Sequence, residues 1–463
     1  MQQPHSVLII GGGITGLAAA YRLQQVSPQT EITLLEREQR LGGKIWSEQS
    51  NGFVIEAGPD SFLSSKPRGV DLCAELGLAG RLQGTNDQMR RSFVMRGGSL
   101  FPIPEGLSGL VPARLEPILE SQLFSNEGKQ RFLQERSIPA GGPVGDESLA
   151  AFMTRRFGQE IYERLIEPLM AGIYAGDGRE LSLAATFPQL RALELEYGSL
   201  LRGLEATRAA RAADTPRPGF LSFPDGMGEL VSALATRLQR VRIGAGSEVR
   251  RLSRSRTGFK AELVGGGHIV ADAALVAVPA PMAATVLAEV DADLAHALHQ
   301  IPHVSTATVS AAFPLPAIPR PLNGFGYLVP RQEGRSVLAS TWSSVKFPHR
   351  APADHALLRA FIGRAGDDDM VAAPEHDLLE MARHEWRTTL DISAVPTLTR
   401  VYRWPRGMPQ YTLGHADRLA IIHARLQATP SLFLAGNGYR GVGIPDCIQG
   451  GEMAAEQIAA LFA

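Results

Sequence analysis

The chain has 463 residues, 44% of them hydrophobic and 20% charged, with a formal net charge of −1 at pH 7. Near-neutrality excludes a global field that would gather nucleic acid or anionic lipid, so selectivity has to come from local sites. The length predicts two or three domains, and the two cysteines, Cys73 and Cys447, exclude a disulfide framework and a cysteine-built metal site and fit a reducing cytoplasm. No signal peptide is recognised, and no run reaches the roughly 18–20 apolar residues of a membrane span. A cytoplasmic protein is expected, with peripheral membrane contact left open.

Val7–Ile10 reads as a strand buried on both faces, followed by Gly11-Gly12-Gly13-Ile14-Thr15-Gly16 and an Ala-rich helix predicted over Ala18–Gln25. Gly11, Gly13 and Gly16 fit G-x-G-x-x-G: the first permits the turn, the second lets a pyrophosphate approach the backbone, and the third allows close helix–strand packing. The helix N-terminus offers unpaired N–H groups and a partial positive charge to the phosphates. By itself this motif does not separate NAD, NADP and FAD. Glu31–Glu36 reads as the second strand, ending in an acid about twenty residues past the glycines, where a carboxylate accepts from ribose hydroxyls and repels the 2′-phosphate of NADP.

Arg40-Leu41-Gly42-Gly43-Lys44 then adds a second glycine pair, and Phe53–Phe62 gives a short strand and a Gly58-Pro59 turn. Glu36, Arg-x-Gly-Gly and the Gly-Pro turn together resemble the flavin-binding half of the amine-oxidase superfamily. The resemblance implies that Arg40 and the glycine pair lie against an FAD diphosphate. Cys73, in the amphipathic stretch Val70–Leu78, reads as a small core residue.

From about Arg90 to Pro218 the pattern predicts short helices: Leu107–Leu110, Leu115–Leu123, Gly128–Leu133, Glu147–Arg156 with Asp146 as its cap, and Ile161–Leu169. Within this stretch, Gly172-Ile173-Tyr174-Ala175-Gly176-Asp177 followed by Leu181-Ser182-x-x-Ala185-x-Phe187-Pro188 resembles the protoporphyrinogen and coproporphyrinogen oxidase family, FAD enzymes of haem synthesis. Leu200–Ala213 reads as a helix ended by a Thr215–Gly219 linker. In relatives this subdomain can lie on a membrane; here Glu194, Glu196 and Glu205 interleave with arginines, which favours a solvated face.

Asp225-Gly226-Met227-Gly228 and a helix over Glu229–Leu238 resemble the family's return to the flavin domain. Val241–Ile243, Glu248–Leu252, Phe259–Val264 and Ala274–Val278 alternate or run apolar as strands do. His296, His299 and His303 fall near one helical face beside Asp293, but Pro302 interrupts that helix and no cysteine completes a site, so surface histidines and no metal are expected. Val304–Phe313, Gly326–Pro330, Ser336–Thr341 and Leu398–Tyr402 read as strands of a mixed sheet, and Leu357–Ile362, which contains Phe361, as a helical or strand-edge run. Ser431–Asn437, the glycine turn Gly438–Gly443 and a helix from Ile444 form a second strand–glycine–helix unit, whose helix N-terminus would face the flavin ring.

The resemblance implies an α/β fold with a Rossmann-like FAD-binding domain of the two-dinucleotide-unit type over residues 1–85, 219–280 and 430–463. A mixed-sheet substrate domain over 281–429 and a helical insert over 86–218 would complete it. It implies noncovalent FAD held by Gly11, Gly12, Gly13, Ile14, Thr15 and Gly16, by Glu36, Arg37, Arg40, Gly43 and Lys44, by Gly58, Pro59, Asp60 and Ser61, by Val249, and by Asn437, Val442, Gly443 and Ile444. The flavin N5 would be the hydride acceptor and no side chain need be catalytic. Phe325, Gly326, Leu328 and Phe361 become candidate walls for a tetrapyrrole, and Arg91 and Lys66 candidate partners for its propionates or, equally, solvated charges. The implied reaction oxidises coproporphyrinogen III or protoporphyrinogen IX with dioxygen, releasing hydrogen peroxide, with handover to the next haem-pathway enzyme. Other readings of the same motifs are an amine oxidase, a carotenoid desaturase, or a flavin-free binding protein like the prenyl-GTPase dissociation inhibitors.

Overall fold

Val7 and Ile9 point into one apolar core and Leu8 and Ile10 into another, which is why their stretch of sequence shows no alternation. The computed structural model describes residues 5–143, 145–210 and 219–463. Ser6–Ile10 is the middle strand of a five-stranded parallel sheet ordered Val241–Ala245, Glu31–Glu36, Ser6–Ile10, Ala273–Val276 and Leu432–Leu434. The helices Ile14–Val26, Gly228–Arg237 and Ile444–Leu461 cover one face. Across the other lie the meander Val249–Arg254, Phe259–Leu263 and His268–Ala271 and the helices Ala280–Leu287 and Ala292–His299.

The second sheet has seven strands, ordered Leu398–Pro409, His303–Pro314, His355–Ile362, Val337–Trp342, Gly326–Leu328, Phe93–Arg96 and Ser99–Pro102. It is mixed: Gly326–Leu328 runs parallel to Phe93–Arg96 and the other pairs are antiparallel. Phe361 therefore sits on an interior strand, paired on both sides, and the expectation of a helical or strand-edge run over Leu357–Ile362 is corrected. His303 opens a strand and is separated from the helix bearing His296 and His299. Burial lowers its pKa to about 4, so it is neutral at pH 7.

Three expectations for residues 90–218 are corrected. Phe93–Arg96 and Ser99–Pro102 are strands: they pair with each other as an antiparallel hairpin, and Phe93–Arg96 is tied into the second sheet by Gly326–Leu328, more than two hundred residues away. Leu107–Leu110 is not helical: Leu107–Ser108 pairs with Val111–Pro112 across a turn in which Gly109 takes φ +60°. The helix expected over Glu147–Arg156 is Leu149–Phe157, capped by Ser148, whose hydroxyl accepts from the Ala151 N–H. Asp146 instead accepts from the Ser182 hydroxyl and the Gly414 N–H. Helices then dominate from Glu116–Glu120 to Leu200–Ala210, around a core that includes Phe132, Phe152, Phe157 and Ile166. Residues 215–218 of the expected linker and 211–213 of the expected helix lie outside the described residues.

Candidate active site

Both sheets contribute to one cavity of about 3210 Å³, several times the roughly 300–1,000 Å³ of an ordinary small-molecule site. Its first wall is the glycine turn. Gly11 takes φ +109°, a conformation open to glycine, and its N–H donates to the Leu35 carbonyl at 2.8 Å. Gly16 brings the helix onto that turn: a Cβ there would lie 2.0 Å from the Gly11 carbonyl oxygen. Gly13 faces the opposite situation, since a Cβ would meet nothing within 4 Å. The turn is thus tight underneath and open on the side facing the cavity.

Glu36, at the end of the second strand, is buried. Its carboxylate accepts from the Gly12 N–H at 2.7 Å and the Glu38 N–H at 2.9 Å. The Gly42 N–H donates to the Gly12 carbonyl at 2.8 Å, bringing the second glycine pair against the first. Arg40 is held over Trp46, its guanidinium carbon 4.5 Å from the ring centroid, and donates to the Gly43 carbonyl at 2.8 Å. Lys44 lines the cavity with no ion pair among the described residues, and burial, helped by the positive charge of Arg37, lowers its pKa.

The far end of the chain supplies the opposite wall. Gly436 takes φ +140°, the Tyr411 hydroxyl donates to the Asn437 carbonyl at 2.7 Å, and the Gly443 N–H donates to Asp446 at 3.1 Å as the last helix starts at Ile444. Asp446 also receives Lys66 at 2.5 Å. Between these walls runs Gly58–Ser61. Burial alone would raise the pKa of Asp60, but Lys346, 2.8 Å away, and Arg359 outweigh it and hold the carboxyl well below its usual range. Every residue named above for FAD lines the cavity except Gly12 and Gly16, which shape the turn from behind.

The candidate substrate residues divide. Leu328, Phe361 and Lys66 line the cavity. Phe325, Gly326 and Arg91 lie outside its lining. Gly326 is packed inside the second sheet, where a Cβ would lie 1.9 Å from the Ser340 carbonyl oxygen. Phe325 is tied through its backbone, its N–H to the Arg91 carbonyl at 2.7 Å and its carbonyl to the Trp342 N–H at 2.8 Å. Arg91 meets this strand with its carbonyl while its side chain is exposed, and its neighbour Arg90 lines the cavity. Sequence reasoning missed Tyr174, Tyr411, Lys346 and Arg359, all cavity-lining. Tyr174 lies inside the Gly-Ile-Tyr-Ala motif; Arg359, an arginine in an otherwise apolar strand, carried a signal of its own, because arginine is rarely buried without purpose.

A two-unit dinucleotide site facing a mixed sheet defines a flavin oxidoreductase fold. The chain belongs to the flavin containing amine oxidoreductase family, whose model matches residues 14–459. It is 36% identical over 457 residues to the coproporphyrinogen III oxidase of Bacillus subtilis strain 168, covering 97% of this chain and 96% of that one. It is 32% identical to protoporphyrinogen oxidase 1, chloroplastic, of Arabidopsis thaliana, covering 96% of this chain and 86% of the other. The crystal structure of a candidate protoporphyrinogen oxidase from Exiguobacterium sp. 255-15 superposes with a TM-score of 0.88 at 34% identity, covering 99% of each chain. The protein is thus a flavin oxidoreductase, and among its described residues no helix is long and apolar enough to cross a membrane.

Both thiols are buried, and burial pushes Cys73 up to about 12 and Cys447 up to about 11. The folded protein is therefore expected to leave both unmodified by an aromatic disulfide reagent at pH 8. Two thiols should titrate on addition of denaturant, and rapid reaction before unfolding would contradict the burial.

Proposed function

We propose that the protein is an FAD-dependent porphyrinogen oxidase that converts coproporphyrinogen III to coproporphyrin III, with protoporphyrinogen IX as the second candidate substrate, dioxygen as acceptor and hydrogen peroxide as product. The observation that carries the reading is the cavity, in which dinucleotide walls continue into an apolar compartment under excess positive charge. Among the described residues twelve Lys and Arg line it against six Asp and Glu, in a chain whose net charge is −1. Such a concentration focuses field on an anionic guest. A diphosphate and a macrocycle bearing several propionates both fit that sign, and four propionates fit it better than two. The names of the relatives point the same way.

The residues present fit FAD. The open face of Gly13 and the unpaired ammonium of Lys44 supply, at one end of the cavity, space and charge for a diphosphate. The N-termini of Ile14–Val26 and Ile444–Leu461 add partial positive charge. Glu36, fixed by two N–H donors, is placed to receive ribose hydroxyls. Bound FAD supplies a hydride acceptor that dioxygen reoxidises. Around it, Leu328, Phe361, Ile173 and Tyr174 exclude water and wall a flat apolar ring. Lys66 offers a cation to a propionate in exchange for Asp446. Among the described residues no histidine lines the cavity, and burial raises the Tyr174 phenol to about 12. Tyr174 therefore stays protonated at neutral pH; tautomerisation redistributes the macrocycle's protons between carbon and nitrogen, and the protons that accompany the hydrides pass from pyrrole nitrogens to solvent. A cytoplasmic enzyme that passes a hydrophobic porphyrin to the next haem-pathway enzyme completes the reading; a peripheral membrane contact is compatible with it.

Purified yellow protein given coproporphyrinogen III in air should produce porphyrin fluorescence, with three peroxides for the six electrons removed. The same assay with protoporphyrinogen IX ranks the two substrates. Absence of porphyrin from both overturns the proposal.

A further inference from the structure

Where the second sheet meets the wall Gly58–Ser61, one backbone oxygen collects three side-chain donors from three strands. The Ala57 carbonyl accepts from the Thr308 hydroxyl at 3.0 Å, the Trp404 indole N–H at 2.9 Å and Arg359 Nη2 at 3.2 Å. Arg359 Nη2 also reaches the Gly58 carbonyl at 2.5 Å. Three donors converging on one carbonyl fix its position far more tightly than the single bond typical of a buried carbonyl. Gly58 has no room to yield on its other side, since a Cβ there would lie 1.9 Å from the Lys44 carbonyl oxygen.

Arg359 is the unusual member. It is 3% exposed, its Nε has no partner, and no carboxylate lies within ion-pair distance of it among the described residues. The two nearby acids are already engaged: Asp60 with Lys346 at 2.8 Å, and Glu56 with Arg350 at 2.9 Å, the Ser47 hydroxyl and the Met227 N–H. Three cations against two carboxylates leave this wall one positive charge in excess. Asp60 and Glu56 offset the burial of Arg359 only at longer range, and burial prevails and lowers its pKa; a buried cation without an ion pair of its own is costly, and the chain bears that cost at the edge of its cavity. The guanidinium carbon also lies 4.6 Å from the ring centroid of Phe361, a residue on the same face of the strand that itself lines the cavity.

We propose that Arg359 is a positioning residue joining the two halves of the site: it locks the Ala57–Gly58 carbonyls of the cofactor wall, braces the Phe361 ring of the substrate wall, and lends the wall's surplus positive charge to the reduced, electron-rich state of the flavin. This rests on the FAD reading above. The expected signature is thermodynamic. Arg359→Gln keeps a donor for the carbonyls and removes the charge; Arg359→Lys keeps the charge; Thr308→Val removes one donor to Ala57 and no charge.

The test is the two-electron midpoint potential of the FAD-loaded protein, read by anaerobic dye equilibration, with the KM and kcat of each variant measured alongside. R359Q should lose at least tenfold in preference for reduced over oxidised FAD, about 30 mV, while R359K and T308V stay within threefold of the parent. R359Q within threefold of the parent, or R359K falling as far as R359Q, overturns the proposal. If R359Q does not fold, the unaltered protein decides: reduced FAD must bind at least tenfold more tightly than oxidised FAD, and equal affinity overturns the proposal. A parent protein that binds no FAD refutes the cofactor reading itself, an outcome distinct from a parent that binds FAD without that preference.

Discussion

Gly16→Ala is expected to yield folded protein without yellow colour, with FAD affinity reduced at least about 100-fold, or ~2.7 kcal/mol. The new Cβ would sit 2.0 Å from the Gly11 carbonyl oxygen, well inside contact distance, so the helix Ile14–Val26 has to move away from its strand. That helix is packed on its other side by the C-terminal helix, where Gly451 approaches the Thr15 carbonyl so closely that its own Cβ would lie 2.2 Å away. Displacement in either direction therefore meets backbone. Relief comes by opening the glycine turn, which misplaces the N–H groups offered to the diphosphate. The measurement is FAD titration of apoprotein, with far-UV circular dichroism to show that the fold persists. Undiminished affinity would mean that the turn tolerates a spacing the structure does not allow it.

Arg156→Met is expected to destabilise the helical segment by about 3–5 kcal/mol, the usual consequence of removing one partner of a buried ion pair. Arg156 is fully buried and pairs with Glu135 and Glu194, while also donating to the carbonyls of Glu135, Ile138, Pro139 and Gly198. Without it Glu135 keeps, among the described residues, only the Ser199 hydroxyl and the Leu200 and Leu201 N–H groups. The four tryptophans, at 46, 342, 386 and 404, all lie outside Glu116–Ala210. Urea should therefore remove helical circular dichroism in the variant before it changes tryptophan fluorescence. Coincident, unshifted transitions would contradict the assignment. Burial would raise the pKa of Glu194, but hydrogen bonds from Arg155 and Arg191 outweigh it and the pKa is lowered. Its stabilisation is thus complete above the unfolded value near 4.5 and is lost as pH falls below it. Glu194→Gln should flatten that acid limb.

The glycine-turn end of the cavity was legible because its signals are local. Val7–Ile10, the glycines and Glu36 lie within one strand–turn–helix–strand unit; Gly11 and Gly16 answer steric demands within that unit or its neighbouring strand, while Gly13 leaves its face open to the cavity. The hairpin of Phe93–Arg96 and Ser99–Pro102 was not legible, because what fixes it in the second sheet is the pairing of Phe93–Arg96 with the distant Gly326–Leu328. The cap of Leu149–Phe157 was missed by two residues because Asp146 and Ser148 are both good caps by type, and the spare carboxylate found partners in Ser182 and Gly414. Of the residues expected to wall a tetrapyrrole, Leu328, Phe361 and Lys66 line the cavity and Phe325, Gly326 and Arg91 do not. The segment around Phe325 does reach the cavity, but strand geometry gives that surface to Leu328 while Gly326 is spent on close packing with Ser340. Arg359 needed three strands and a distant loop in register before its role had any expression in distance.

The most direct measurement is anaerobic mixing of the purified holoprotein with coproporphyrinogen III in a stopped-flow spectrophotometer, followed by admission of air. Bleaching of the oxidised-flavin absorbance with concurrent loss of the porphyrinogen, and its return with oxygen as porphyrin accumulates, is the predicted result. Flavin that stays oxidised on mixing with both coproporphyrinogen III and protoporphyrinogen IX would contradict it.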